Sequence, residues 1–349
     1  MLNVETARGW VRRLSPDCFA LVMATGIVSV AADQHGMPSV AQCLFWLNLV
    51  IYVWLLALSG LRLARFRSEM TADFIDPSRG AGFLTVAAAT CILGTQCVTV
   101  MPLPKVAIVL AVAGAALWLA LIYLFFAATI TARIKPGFTR SINGGWLVAI
   151  VATQSLAALL ALLSGGYTTW LFSSLCLYLL GAALYLLIIT LVVYRMVFFP
   201  LRAYEFTPPY WIDMGALAVT TLAGSLVVEQ SPATGPLTDL LPFVKGFTLF
   251  FWATASWWIP LLVILEVWRH GWRHVPLRYE TDDWDIVFPI GMYTVGTYEL
   301  AHALNTPFLL IIPTIGVYVS LLTWLLIAVI GLQRLYRKSV RKGAGSGHR

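Results

Sequence analysis

The sequence predicts an all-α polytopic membrane protein, with ten transmembrane helices arranged as five repeated helical hairpins. Three observations predict it. Of 349 residues, 60% are hydrophobic and 11% charged, where soluble domains carry about 25% charged residues. The apolar residues come in runs of about twenty, the length that crosses roughly 30 Å of hydrocarbon at 1.5 Å per residue. An aromatic residue opens alternate runs at a nearly constant period.

Lipid cannot hydrogen-bond a peptide group, so each run must be helical or belong to a closed barrel. The Leu/Ala/Ile/Val runs show no period-two alternation, which leaves helices. The spans fall near residues 15–32, 40–61, 82–99, 105–131, 144–163, 169–194, 209–228, 241–266, 284–303 and 308–332. The chain thus divides into a cytoplasmic N-terminus (1–14), a single transmembrane pore domain (15–332) and a basic cytoplasmic tail (333–349). With the N-terminus inside, 21 of the 23 Lys and Arg residues lie on the cytoplasmic side, and only Lys105 and Lys245 lie on or towards the other. Both termini are therefore expected in the cytoplasm, with the protein in a plasma (inner) membrane.

The formal charge of +7 does not indicate nucleic acid, because the basic residues sit in short loops rather than on one surface. Arg8, Arg12 and Arg13 precede an apolar stretch that continues as a full span, so no cleavable signal peptide is expected. Cys18, Cys43, Cys91, Cys97 and Cys176 fall inside spans without CxxC spacing and read as packing residues.

The odd-numbered spans begin alike: Phe19, Phe83, Trp146, Trp211 and Trp284 are 64, 63, 65 and 73 residues apart. A period of that size with two spans in each indicates one helical hairpin repeated five times. Five hairpins about an axis can enclose a path with one helix of each facing inward. The odd helices are the expected inner set, since the even ones are bulkier and uniformly apolar. Candidate pore-lining residues are Thr25, Ser29, Thr90, Thr95, Thr153, Gln154, Thr220, Thr221, Thr294 and Thr297, with Ser155 and Ser225 nearby. Singly, such side chains bond back to the carbonyl four residues earlier or join helices; recurrence at similar depth in five helices favours the pore.

Four segments, SPDCFALVMATGIVSVA, NGGWLVAIVATQSLA, PPYWIDMGALAV and WDIVFPIGMYTVGT, make residues 10–335 resemble the tellurite-resistance/dicarboxylate-transporter family. That family includes TehA-type channels, the slow anion channels of plant guard cells, malate permeases and sulfite exporters. The resemblance implies a central pore lined by the five odd helices, assembly as a homotrimer, and closure by a phenylalanine of the ninth span, here Phe288. The long regulatory termini of the plant channels have no counterpart, so gating by kinases of that kind is not expected. Pro289, directly after Phe288, removes an i to i−4 hydrogen bond and kinks the helix, which can push the ring towards the axis.

The odd helices run outward from the cytoplasm, so their positive N-terminal ends and the basic inner loops favour anions. Asp17, Asp213 and Asp285, near the starts of odd helices, read first as caps. No Lys or Arg lies inside an odd helix, which argues for weakly held anions rather than a tight dicarboxylate site. Glu299 sits deeper than a cap, as a proton-coupling group or in an outer vestibule with His302. His270 and His274 are i, i+4 without a third ligand, so no metal site is expected, and no cofactor or catalytic centre is predicted. The expected function is passage of small inorganic anions or organic acids through the bilayer. A proton-coupled carrier of C4-dicarboxylates such as malate, or a sulfite or tellurite exporter, is the alternative.

This topology predicts that a thiol probe applied to intact cells labels Gly235→Cys and fails to label Ala72→Cys. The opposite pattern inverts the orientation.

Overall fold

The structure is a computed structural model describing residues 9, 11–276 and 281–345. Arg8, Arg278 and Arg349, and the side chains of Arg337, Lys338, Arg341 and Lys342, lie outside the described residues. Among the described residues there is no strand. The principal helices are α1 (Ala20–Gln34), α2 (Pro38–Arg65), α3 (Thr85–Thr99), α4 (Pro104–Thr131), α5 (Val148–Leu163), α6 (Thr168–Phe198), α7 (Ile212–Gln230), α8 (Leu241–Glu266), α9 (Trp284–Ala303) and α10 (Ile311–Gly345). Eight of them, extended by their flanking turns, are long and apolar enough to cross a membrane. The other two are α1, with 15 residues, and α9, which carries Asp285, Glu299 and His302.

Local sequence explains where the helices begin and end. Pro38 and Pro104 open α2 and α4 at a position where a missing N–H costs nothing. Gly36, at φ +71°, ends α1 in the left-handed conformation that glycine tolerates. Four of the helices that begin with the recurrent aromatic are preceded by a 3-10 turn: Gly80–Leu84, Gly144–Leu147, Pro208–Trp211 and Thr281–Asp283. The two largest differences from the expected boundaries lie at the ends of the bundle. The first helix starts at Ala20, after a turn over 16–19. The last continues through Gly345, so the segment expected as a tail extends the helix; its run of Lys and Arg suits the negative end of a helix dipole.

Burial separates two layers. The apolar windows of α3, α5 and α7 are 78%, 83% and 100% buried, whereas those of α2, α4, α6, α8 and α10 are 22–33% buried. Most residues of α1 and α9 are buried as well. The inner helices pack in a closed cycle: α1 on α3, α3 on α5, α5 on α7, α7 on α9, and α9 back on α1. Each outer helix packs on the inner helix before it in sequence and touches the one after, the last of them, α10, returning to α1. Cys18, Cys91 and Cys97 are buried, but Cys43 and Cys176 are exposed on α2 and α6. The packing role expected for those two is corrected: they sit on the outer layer.

The inner helices approach closely where one contributes only a hydrogen. A Cβ on Gly296 of α9 would stand 2.8 Å from the carbonyl oxygen of Ala218 on α7, a backbone atom that cannot swing aside. Gly296→Ala should therefore lower the melting temperature of the solubilised protein, by the equivalent of about 1–3 kcal/mol of overpacking. Gly60→Ala on α2, with nothing within 4 Å, should leave it unchanged or raise it. Equal effects would contradict this packing.

Candidate functional site: the inner ring around Phe288

Three faces of α9 are fixed by its neighbours. Towards α7, a Cβ on Gly215 would stand 2.8 Å from the Pro289 ring, and Gly296 lies on the backbone of Ala218. Towards α1, Gly291 faces Ile27 and Val28. Towards the outer layer, the Tyr293 hydroxyl bonds Ser256 at 2.7 Å, Thr297 accepts from the Trp252 indole at 3.0 Å, and Thr294 lies against Gly316. The remaining face carries Phe288, Met292, Val295 and Glu299, a single helical stripe at i, i+4, i+7 and i+11. Phe288, Met292 and Val295 are each 1% exposed.

The same reasoning orients α1. Thr25 and Ser29 bond the outer helices, and Ile27 and Val28 border α9. Met23, Val30 and Gln34 are left on the inward side, with Ile27 at its edge. Gln34 Nε2 donates to Glu299 Oε1 at 2.5 Å, and Ile27 meets Gly291. Both contacts set α1 and α9 parallel and in one register, with Met23 at the level of Phe288.

A polar cluster ends this apolar stripe. Glu299 bonds Gln34 and lies close to Glu229, near the end of α7. Beside them the rings of His35 and Tyr298 lie 5.5 Å apart, and those of Tyr298 and His302 4.5 Å apart. Sequence reasoning found Glu299 and His302 but missed Gln34 and Glu229. Glu229 is the penultimate residue of α7 and has no motif around it; only the ring geometry brings it to Glu299.

Most of the candidate pore-lining side chains have partners on the outer helices. Thr25 accepts from the Trp324 indole of α10 at 3.0 Å, and Thr153 from Trp118 of α4 at 2.8 Å. Thr297 accepts from Trp252 of α8 at 3.0 Å, and Thr90 bonds the Tyr52 hydroxyl of α2 at 2.7 Å. Ser29 donates to the Ala41 carbonyl, Gln154 to the Tyr178 carbonyl, and Thr294 lies against Gly316. All these groups face the outer helices. The physical reason is that an indole N–H on an outer helix has no water to bond and takes the nearest inner hydroxyl. Thr95, Thr220 and Thr221 donate to the carbonyls four residues earlier, of Cys91, Ala216 and Leu217.

At the other end of the ring, Asp17 precedes α1, and Asp213 and Asp285 lie in the first turns of α7 and α9; the N-cap positions themselves are Phe19, Trp211 and Asp283, without side-chain cap bonds. Charged latches hold the entries instead. Arg62, 4% exposed, pairs with Asp73 at 2.5 Å, which also binds Arg79 at 2.7 Å. Arg195 bonds the Tyr210 hydroxyl and, at 2.8 Å, the Thr139 carbonyl. Glu266 accepts from the Trp211 indole at 3.0 Å and lies 3.3 Å from His270. His270 thus belongs to a latch, apart from His274, which ends the same turn at φ 52°.

The comparisons with known proteins agree with this architecture. The model of the SLAC1 family, described as voltage-dependent anion channel, matches residues 13–332. An uncharacterized membrane protein of Mycobacterium tuberculosis is 41% identical over 164 residues, covering 47% of this chain and 82% of the relative. Two uncharacterized transporters of Methanocaldococcus jannaschii are 22% and 23% identical, covering 83% and 82% of this chain and 86% and 84% of their own lengths. By its apolar helical architecture and a family match over nearly its whole length, the chain belongs to the SLAC1 family of anion-channel-like membrane transporters.

Proposed function

We propose that this protein is an anion channel or facilitator of ten spans, five hairpins around a central pore, with Phe288 as its gate. The observation that carries the reading is the inward stripe of α9, on which Phe288 is buried at 1% exposure and followed by Pro289. A phenyl ring across a path walled by Met23, Met292 and Val295 both fills it and expels water, a hydrophobic gate. The helix starts converge at one mouth and favour anions, and the absence of Lys or Arg from α1, α3, α5, α7 and α9 lets an anion leave again. The cargo is a small inorganic anion or organic acid. Both termini face the cytoplasm, and three copies assemble in the inner membrane, as the family resemblance implies.

Phe288→Ala should raise anion flux into liposomes by roughly tenfold, about 1.4 kcal/mol off the barrier, with the fold retained by circular dichroism. Unchanged flux in the folded variant would return Phe288 to ordinary packing.

A second reading, a proton-coupled carrier of C4-dicarboxylates, is favoured by one observation: Glu299, bonded to Gln34, has a second carboxyl, Glu229, beside it. As a vestibule residue, Glu299 repels anions, and Glu299→Gln should raise passive flux modestly, about twofold. In a carrier the same change should abolish malate uptake driven by a pH gradient and leave exchange intact. Loss of all transport in a folded Glu299→Gln protein contradicts both readings.

A further inference from the structure

The most enclosed acid among the described residues is used by neither reading. Asp213, in the first turn of α7, is 0% exposed, and neither of its carboxyl oxygens has a hydrogen-bond partner. It lies between layers. The Tyr185 hydroxyl of α6 donates to the Asp213 backbone carbonyl at 3.2 Å. Two residues further on is Gly215, against which the Pro289 ring of α9 rests. Asp213 therefore sits at the level of Phe288, on the helix that seats the kinked segment.

We propose that Asp213 is a proton-binding site, whose charge state controls how α7 seats α9. An ionised carboxylate closed off from water with no partner is far more expensive than a neutral carboxyl. The arrangement described here, with Phe288 buried, therefore suits the neutral group. Ionisation requires a partner or water, and Tyr210, three residues before Asp213, leads to Arg195. The Arg195 guanidinium bonds the Tyr210 hydroxyl and lies 3.7 Å from Glu205 in the connecting loop. The remaining charged groups around α7 are engaged elsewhere. Glu266 of α8 is held by Trp211 and His270, and Asp285 of α9 stands among Asp17, Asp282 and Asp283. From α6 come Tyr185 and Arg195, with Tyr178 further along against Gly224, and at the α5 entry Gly144 meets the Pro209 backbone. A charged Asp213 drawn towards Arg195 shifts the start of α7, and with it the Gly215 seat of Pro289. Flux then rises as the pH on that side rises. This link to flux rests on the gate reading; the proton site itself does not.

Infrared difference spectra of the full-length protein in liposomes, acidic minus alkaline buffer, test it directly. A protonated-carboxyl band should grow as pH falls in the native protein and be missing from Asp213→Asn. Anion flux should rise with pH in the native protein, stay low and flat in Asp213→Asn, and regain its pH dependence in Asp213→Glu. Identical difference spectra for the native protein and Asp213→Asn would overturn the site. Matching pH–flux curves would overturn its control of α9. Asp213→Ser serves if the Asn variant does not fold. Failing both, native protein labelled with carbon-13 at the aspartate carboxyls is read alone, and absence of any titrating aspartyl band overturns the proposal. Failure of the gate reading shows separately, as unchanged flux in Phe288→Ala with the infrared band intact.

Discussion

Hydrocarbon offers no partner to a hydroxyl, an amide or an indole, so a polar group inside this bundle depends on protein for its partner. The answers are concentrated in the seams between layers. Tyr52–Thr90, Trp118–Thr153, Trp252–Thr297 and Trp324–Thr25 each join an outer helix to the inner helix that follows it around the ring. These bonds fix more than distance. A helix tied outward through one threonine has its rotation set, and the opposite stripe is then committed to the interior. The inward position of Phe288, Met292 and Val295 follows from Thr297, Tyr293 and Thr294 being engaged on the other side.

Much of the fold was legible in the sequence because the bilayer imposes a length and a polarity on each span. The expected limits 105–131, 144–163 and 284–303 coincide within a residue with the observed helical segments, as hydropathy, Gly-Gly and an aromatic start mark them. The division into inner and outer layers was legible from side-chain bulk. The direction in which a threonine points was not. Thr25 and Thr153 have the size and polarity of pore residues, and only a tryptophan far away in sequence decides that they turn outward. Phe288 stood out through the family resemblance and the Pro289 that follows it, whereas Glu229 and Gln34 carry no local signal and acquire significance only where α1, α7 and α9 end together.

The arginines illustrate a related point. Counting them by loop assigns a side of the membrane but says nothing about which are free to attract an anion. Arg62 and Arg195, 4% and 7% exposed, are committed to Asp73 and to Tyr210, so they anchor the turns that feed α3 and α7. The positive field at that mouth then rests on the exposed basic residues and on helix ends rather than on these two.

The Trp324–Thr25 bond joins residues 299 positions apart, and it has a consequence for biogenesis. During synthesis the bundle exists first as an arc, with the α1 edge open to lipid and Thr25 without its indole. Only the arrival of α9 and α10 turns the arc into a ring. A chain interrupted before them is therefore not a smaller version of the protein but an unclosed one. Its two raw edges are the surfaces by which membrane quality control can distinguish it from the finished molecule.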